Sequence, residues 1–221
     1  MKPPKSSARP KVLAPKGTHD FRFQGIVEIG TQKPRNEKYK ASRKIIFFME
    51  LVKTNHIFPG YEEKGEQPYV MKNEMIYIMS NYNGKRSQLL QLLDNLKGEQ
   101  LSDEQMEKVE LKRFMGFGGK CIVSHVPNQT NGNLYDKVTN IFPLSPEEVN
   151  ALPPLRNRLM FFSTDEPTKA DWDNLLDWLK KTLRESEEWP KFKHIVEPGE
   201  VQADAPSPSA KPMAAQDDPF A

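Results

Sequence analysis

Three strand-like stretches precede the first stretch with helical spacing, and two more follow it. That order restricts the fold more than any other feature of the chain. The clearest stretch is 43–52 (RKIIFFMELV). Ile45, Phe47, Met49 and Leu51 fall on one face of a strand there, and Lys44, Ile46, Phe48 and Glu50 on the other. Residues 21–31 (FRFQGIVEIGT) read as the strand before it, with Gly25 and Gly30 at bend or bulge positions. Residues 69–80 (YVMKNEMIYIMS) read as the third. The period then changes. Leu89, Leu92, Leu93 and Leu96 recur at helical spacing, with Gly98 placed to cap the C-terminus. Ser102 and Gln105 have capping-box spacing and open a second short helix to about Phe114. Residues 119–126 and 134–142 return to strand character on either side of the turn-rich NQTNGN.

The order β-β-β-α-β-β predicts a mainly β fold. It is that of an OB-fold-like five-stranded barrel with a helix between strands three and four. An α+β sandwich with the same strand count fits the order as well. Four prolines (143, 146, 153 and 154) then interrupt regular structure. Residues 168–188 follow as one expected helix, opened by Thr168 and Asp171, striped by Trp172, Leu175, Leu176, Leu179 and Leu183, and ended by Trp189-Pro190. The favoured role for this helix is packing on the barrel or on a second subunit, rather than gripping a ligand. The expected organisation is a disordered basic arm over 1–16, the barrel over 17–144, a helical extension over 145–196 and a disordered acidic tail over 197–221.

Composition matters chiefly through its distribution. The formal net charge is only +2, but residues 1–44 carry 12 basic and 3 acidic residues, whereas 197–221 carry one lysine against five acids. A basic front suits a polyanion, and an acidic tail implies a separate use. The cations of 33–44 are expected to collect along one groove. No apolar run approaches the roughly 20 residues needed to span a bilayer, and the N-terminal residues lack the apolar core of a signal peptide. A single cysteine excludes a disulfide framework and a multi-cysteine zinc site.

The residues do not assemble an enzyme. His19, His56, His125 and His194 are widely separated, and none has metal-ligand spacing. Cys121 sits in an apolar strand, as a structural thiol does. Gly116–Cys121 lacks the glycine spacing and the hydroxyl residue of a phosphate loop. No catalytic residue, cofactor or metal is expected. Single-strand binding is better supplied, because such surfaces pair cations for phosphates with aromatic faces for bases. Lys33, Arg35, Lys38, Tyr39, Lys40, Arg43, Lys44 and Phe48 provide both kinds of group in one stretch. Phe48 is the stacking candidate if its face is open, and a core residue if the extension covers it. Tyr77, Tyr82, Lys85 and Arg86 form a second group, in which Tyr77 alternates with Met75 and Met79 as a core residue does, and Lys120, Tyr135 and Lys137 form a third. At the C-terminus, Asp217, Asp218, Pro219 and Phe220 place two acids and an aromatic on a Pro/Ala-rich tether, a pattern suited to docking in a basic-rimmed pocket.

That tip resembles the acidic tip of bacterial single-stranded DNA-binding proteins, although Ala221 follows Phe220 where the family ends on its Phe. The body is similar to phage-encoded single-stranded DNA-binding proteins. The matching pieces are Ile29-Gly30-Thr31-Gln32, Phe48-Met49-Glu50-Leu51, Glu74 through Ser80, Gly119-Lys120-Cys121 through His125, and Tyr135 through Leu144. The resemblance implies a non-catalytic protein that coats and protects single strands during phage replication, recombination or repair in a bacterial cytoplasm. It implies a tail that recruits replication or recombination proteins, and leaves a homo-oligomer open. The other classes the residues leave in play are an adaptor whose main ligand is protein and, third, a metal-dependent nuclease.

Overall fold

The computed structural model describes residues 12–34, 39–59, 62–82, 84–128 and 132–198. Its strands are β1 (Gly17–Gln32), β2 (Ser42–His56), β3 (Gln67–Ile76), the short hairpin β4 (Asn81–Tyr82) and β5 (Lys85–Arg86), β6 (Gly118–Pro127), β7 (Leu134–Phe142) and β8 (Met160–Phe162). Helices α1 (Gln88–Lys97) and α2 (Asp103–Lys108) lie between β5 and β6. Helices α3 (Pro146–Ala151), α4 (Lys169–Asp173), α5 (Asp177–Arg184) and α6 (Trp189–Val196) follow β7.

The alternation in β2 decides the layering. Ile45, Phe47, Met49 and Leu51 enter one core with Phe21, Phe23 and the leucines of α1. Ile46 and Phe48 enter a second core with Val27, Ile29, Met160, Phe162, Trp172 of α4, Leu179 and Leu183 of α5, and Phe192 and Val196 of α6. The centre of β2 is therefore buried on both sides, and Phe48 is only 5% exposed. Of the two readings of Phe48, the covered one holds: β8 and the helical extension occupy its face.

The main sheet runs β3-β2-β1-β6-β7, every pair antiparallel. One edge of β1 is held by β2. The other is shared by β6, which pairs with Gly17–Arg22, and by β8, which runs parallel to Gly25–Val27. Register shifts fall between Phe23 and Gly25 and between Glu28 and Gly30. At the first, a Cβ on Gly25 would stand 3.0 Å from the Phe48 ring. At the second, Gly30 has φ +71°, a conformation that side chains disfavour.

The sheet does not close into the expected barrel. Among the described residues no backbone ladder joins β3 to β7. The two edges part around a groove of about 300 Å³ that Gln88, Gln91, Leu92 and Asn95 of α1 also line. At one end of these strands, residues 12–15 bridge the two edges. The Tyr69 hydroxyl donates to the Leu13 carbonyl, and the Ala14 amide donates to Asp136. His125 Nε2 lies 2.8 Å from the Ala14 carbonyl. The rest of the expected basic arm, 1–11, and the tail from 199 onward lie outside the described residues.

Helix α1 ends at Gly98 in the left-handed region, as its sequence predicts, and starts with the Ser87 hydroxyl capping the Leu90 amide. The Ser102–Gln105 capping box also forms, opening α2. The single helix expected over 168–188 does not. Thr168 caps α4, but the chain turns extended at Leu176 (φ −68°, ψ 147°) before α5 begins. The break leaves Leu176 43% exposed while Trp172, Leu175, Leu179 and Leu183 reach the core. Trp189-Pro190 opens α6 instead of ending a helix, because proline suits a first helical turn, where its missing N–H is not needed.

Buried glutamates fasten this extension to the sheet. Glu50, 0% exposed, accepts from the amides of Arg156 (2.8 Å) and Asn157 (3.0 Å) and from Asn157 Nδ2 (2.7 Å). Glu28, 2% exposed, accepts from the Thr164 amide at 2.9 Å and from Arg43. In the reverse direction, Glu188 of the extension accepts from the Thr31 amide (2.7 Å) and hydroxyl (2.6 Å). Burial disfavours the Glu188 carboxylate, but the Thr31 hydrogen bonds prevail and hold its pKa below the ordinary 4.5. A depressed carboxylate pKa stabilises the fold above the unfolded value, and the contribution is lost as the pH falls through the folded one. Acid unfolding followed by circular dichroism is expected to begin at lower pH in the native protein than in Thr31→Val, which lacks the hydroxyl donor.

Candidate nucleic-acid interface

The fold separates the sequence-predicted site residues into internal and surface groups. Arg43 is internal in function. Its guanidinium donates to Glu28, to Asp165 at 2.6 Å and to the Thr164 hydroxyl at 3.2 Å, and it lies 5.1 Å from the centroid of the Tyr77 ring. Two carboxylates neutralise it and raise its pKa, so it holds the fold together and is not available to a phosphate. Arg86 is likewise committed, with two bonds to Asp94 (2.8 and 2.9 Å) and one to the Leu101 carbonyl at 2.9 Å. Phe48 is covered, as described above. Each of these three has a structural role: Arg43 and Phe48 meet residues far along the chain, and Arg86 meets Asp94 and Leu101 close by in sequence.

Arg43 and Lys44 are successive residues of a strand and so stand on opposite faces of the sheet. The expectation that the cations of 33–44 collect along one groove therefore fails for this pair. Arg35 and Lys38 lie outside the described residues, as do the tip residues Asp217, Asp218, Pro219 and Phe220. The backbone of Tyr82 lies in β4, and its side chain is outside the described part.

The remaining groups are on the surface. In the β1–β2 connection, Lys33 and Lys40 are exposed and Tyr39 is 71% exposed. Lys44 follows at the start of β2 and pairs with Glu74 of β3 at 2.9 Å, both side chains about one-third exposed (33% and 38%). The register places Lys44 opposite Ile76, Ile46 opposite Glu74 and Phe48 opposite Lys72, so these residues share the extension-facing side of the β2–β3 ladder. Lys72 is exposed, with its ammonium 5.0 Å from the centroid of the Trp178 ring. Trp178, at the start of α5, packs over Phe48 with ring centroids 6.1 Å apart and remains 42% exposed.

Elsewhere, Lys85 is exposed in the β4–β5 hairpin. Lys120, Tyr135 and Lys137 share the outer face of the β6–β7 ladder, but Lys120 pairs opposite Phe142 at one end and Tyr135 opposite Val126 near the other. Lys120 stands 3.8 Å from Glu148, and Lys137 lines the groove between β3 and β7. This third group is at the far end of the sheet path from β2–β3.

Trp178 and Lys72 were not among the sequence-predicted residues. Lys72 was legible as the outward position between the inward Met71 and the next strand residue. Trp178 was not, because the expected continuous helix gave no reason to turn it back over the sheet.

The acid–base and metal chemistry is sparse. Burial, with Asp20 adding to it, pushes the Cys121 thiol up to about 12, leaving it protonated at neutral pH. His19 is used locally, with Nδ1 2.9 Å from the Thr54 hydroxyl and Nε2 2.8 Å from the Pro15 carbonyl. Among the described residues no three His, Cys, Asp or Glu side chains form a group able to hold a metal ion. No described helix is long and apolar enough to cross a membrane. Compared with models of known protein families and with curated proteins, the chain matches none.

Proposed function

We propose that this protein binds single-stranded DNA without chemistry and largely without regard to sequence, protecting exposed strands during phage DNA replication or recombination in a bacterial cytoplasm. The observation that carries the reading is the set of exposed Lys33, Tyr39 and Lys40 in the β1–β2 connection and exposed Lys72 on β3, with the Glu74-paired Lys44 on the same face of the ladder as Lys72. Cations with interleaved aromatics suit a strand whose phosphates and bases are both accessible. The strand path supports the same reading. Read as strands three, two, one, four and five, it is the plan of an OB-fold left open between its third and fifth strands, and OB-folds take oligonucleotides on the strand 2–3 face and the adjoining 1–2 loop. The resemblance to single-stranded DNA-binding proteins agrees, and assigns the acidic tail to recruiting partner proteins.

The test compares fluorescence anisotropy of labelled oligo-dT with that of a duplex of equal length, using the full chain and a chain lacking 212–221. The expected result is preference for the single strand, retained or strengthened without the tail. Equal affinity for both nucleic acids would overturn the reading. Loss of the main activity with the tail would favour a protein adaptor in its place.

A further inference from the structure

We infer that α5 and β3 together form a base-stacking subsite, with Trp178 as the platform and Lys72 as the adjoining phosphate contact. The inference rests on the single-stranded DNA reading and deepens it. The helical extension then contributes to the ligand surface as well as covering the sheet.

Three observations on α5 and the sheet meet at this place. First, Trp178 is held rather than loose. Leu179 and Leu183 fix α5 in the second core, and Phe48 supports the indole from the sheet side at 6.1 Å between centroids. A large aromatic that is already ordered loses little freedom when a base stacks on it. Second, Trp178 differs from the other tryptophans. Trp172 belongs to the second core, is 3% exposed, and stacks at 5.4 Å and 27° on Trp189, which packs partly buried against that core. Trp178, at 42% exposure, presents aromatic surface to solvent.

Third, a free cation stands at the indole. The Lys72 ammonium lies 5.0 Å from the indole centroid, where a cation is attracted by the ring face. A stacking base takes that place, and the flexible lysine turns to the phosphate beside it. Farther along the same face, Lys44 neutralises Glu74. From there the strip continues to Lys40 and Lys33 in the β1–β2 connection. A strand following these cations ends on the indole.

The experiment uses the full chain, oligo-dT as probe, and two readouts: anisotropy for affinity and intrinsic tryptophan fluorescence for stacking. Trp178→Ala is expected to weaken binding about 5- to 150-fold, the range for losing one stacked base. Trp178→Phe keeps an aromatic platform and is expected to recover most of that affinity. It also leaves only the buried Trp172 and the Trp189 stacked on it, so the fluorescence quenching expected on dT binding should disappear. Lys72→Ala is expected to reduce the salt dependence of binding by about one phosphate contact. If the native protein binds oligo-dT but Trp178→Ala binds equally well, or Trp178→Phe retains the quenching, the subsite is wrong and the DNA-binding reading survives. If the native protein does not bind oligo-dT, both fall.

Discussion

Phe48→Ala is expected to destabilise the fold by about 3–5 kcal/mol, the usual cost of truncating a buried phenylalanine. The ring is 5% exposed and lies among Met160, Phe162, Leu179 and other members of the second core. It also lies close enough to β1 that a Cβ on Gly25 would stand 3.0 Å from it. Removing it opens a cavity between the sheet and the extension where neither layer is free to collapse. Urea unfolding followed by circular dichroism checks the value, with an unchanged m-value showing that stability alone has moved. The same substitution withdraws the support under Trp178, so DNA binding should weaken even where the variant remains folded. Tyr39→Ala, at a 71% exposed position, separates the two effects: it should leave the unfolding midpoint in place.

The second large effect belongs to Glu50. Its carboxylate is fully buried and is the acceptor for two backbone amides and a side-chain amide in the segment leading to β8. Glu50→Ala strands those three donors. An unsatisfied buried donor costs about 1–3 kcal/mol, and water reaches these partly buried donors, so the loss should be about 1–3 kcal/mol in all. Glu50→Gln keeps the shape but turns an NH2 group toward donors and should recover only part of it. Limited proteolysis adds a spatial readout. Cleavage should appear first around 153–158, where the extension leaves the sheet, while the first core, built from β1, β2, α1 and β6, persists longer. Simultaneous loss of both cores would show that the two layers unfold as one unit.

These two residues also show what the sequence made legible. The alternation in 43–52 identified β2 and its two faces, and the leucine spacing with Gly98 identified α1 and its end, because both signals are local. That pattern placed Glu50 on the face opposite the first core without saying what covers it. It is buried because residues 156–157, more than 100 positions away, return to cover it. Arg43 read as a ligand cation for the same reason: the acids that neutralise it, Glu28 and Asp165, come from different segments. The barrel expectation was legible as strand order but not as closure, which depends on whether β3 and β7 meet across α1. Trp178 escaped notice because its exposure follows from a break at Leu176 that no proline or glycine announces. Cations on a strand can be counted from sequence, but their free charge depends on the partners the fold supplies.

The central claim is that the cations left exposed on and beside β2–β3 hold the phosphates of a single strand. It is tested most directly by titrating labelled oligo-dT with the full chain across a salt series, alongside Lys40→Ala and Lys72→Ala. If Lys33, Lys40 and Lys72 each neutralise a phosphate, the slope of log affinity against log salt should be about −2, with each substitution reducing its magnitude by about 0.7. Affinity that does not change with salt, or slopes that the two substitutions leave untouched, would contradict the account.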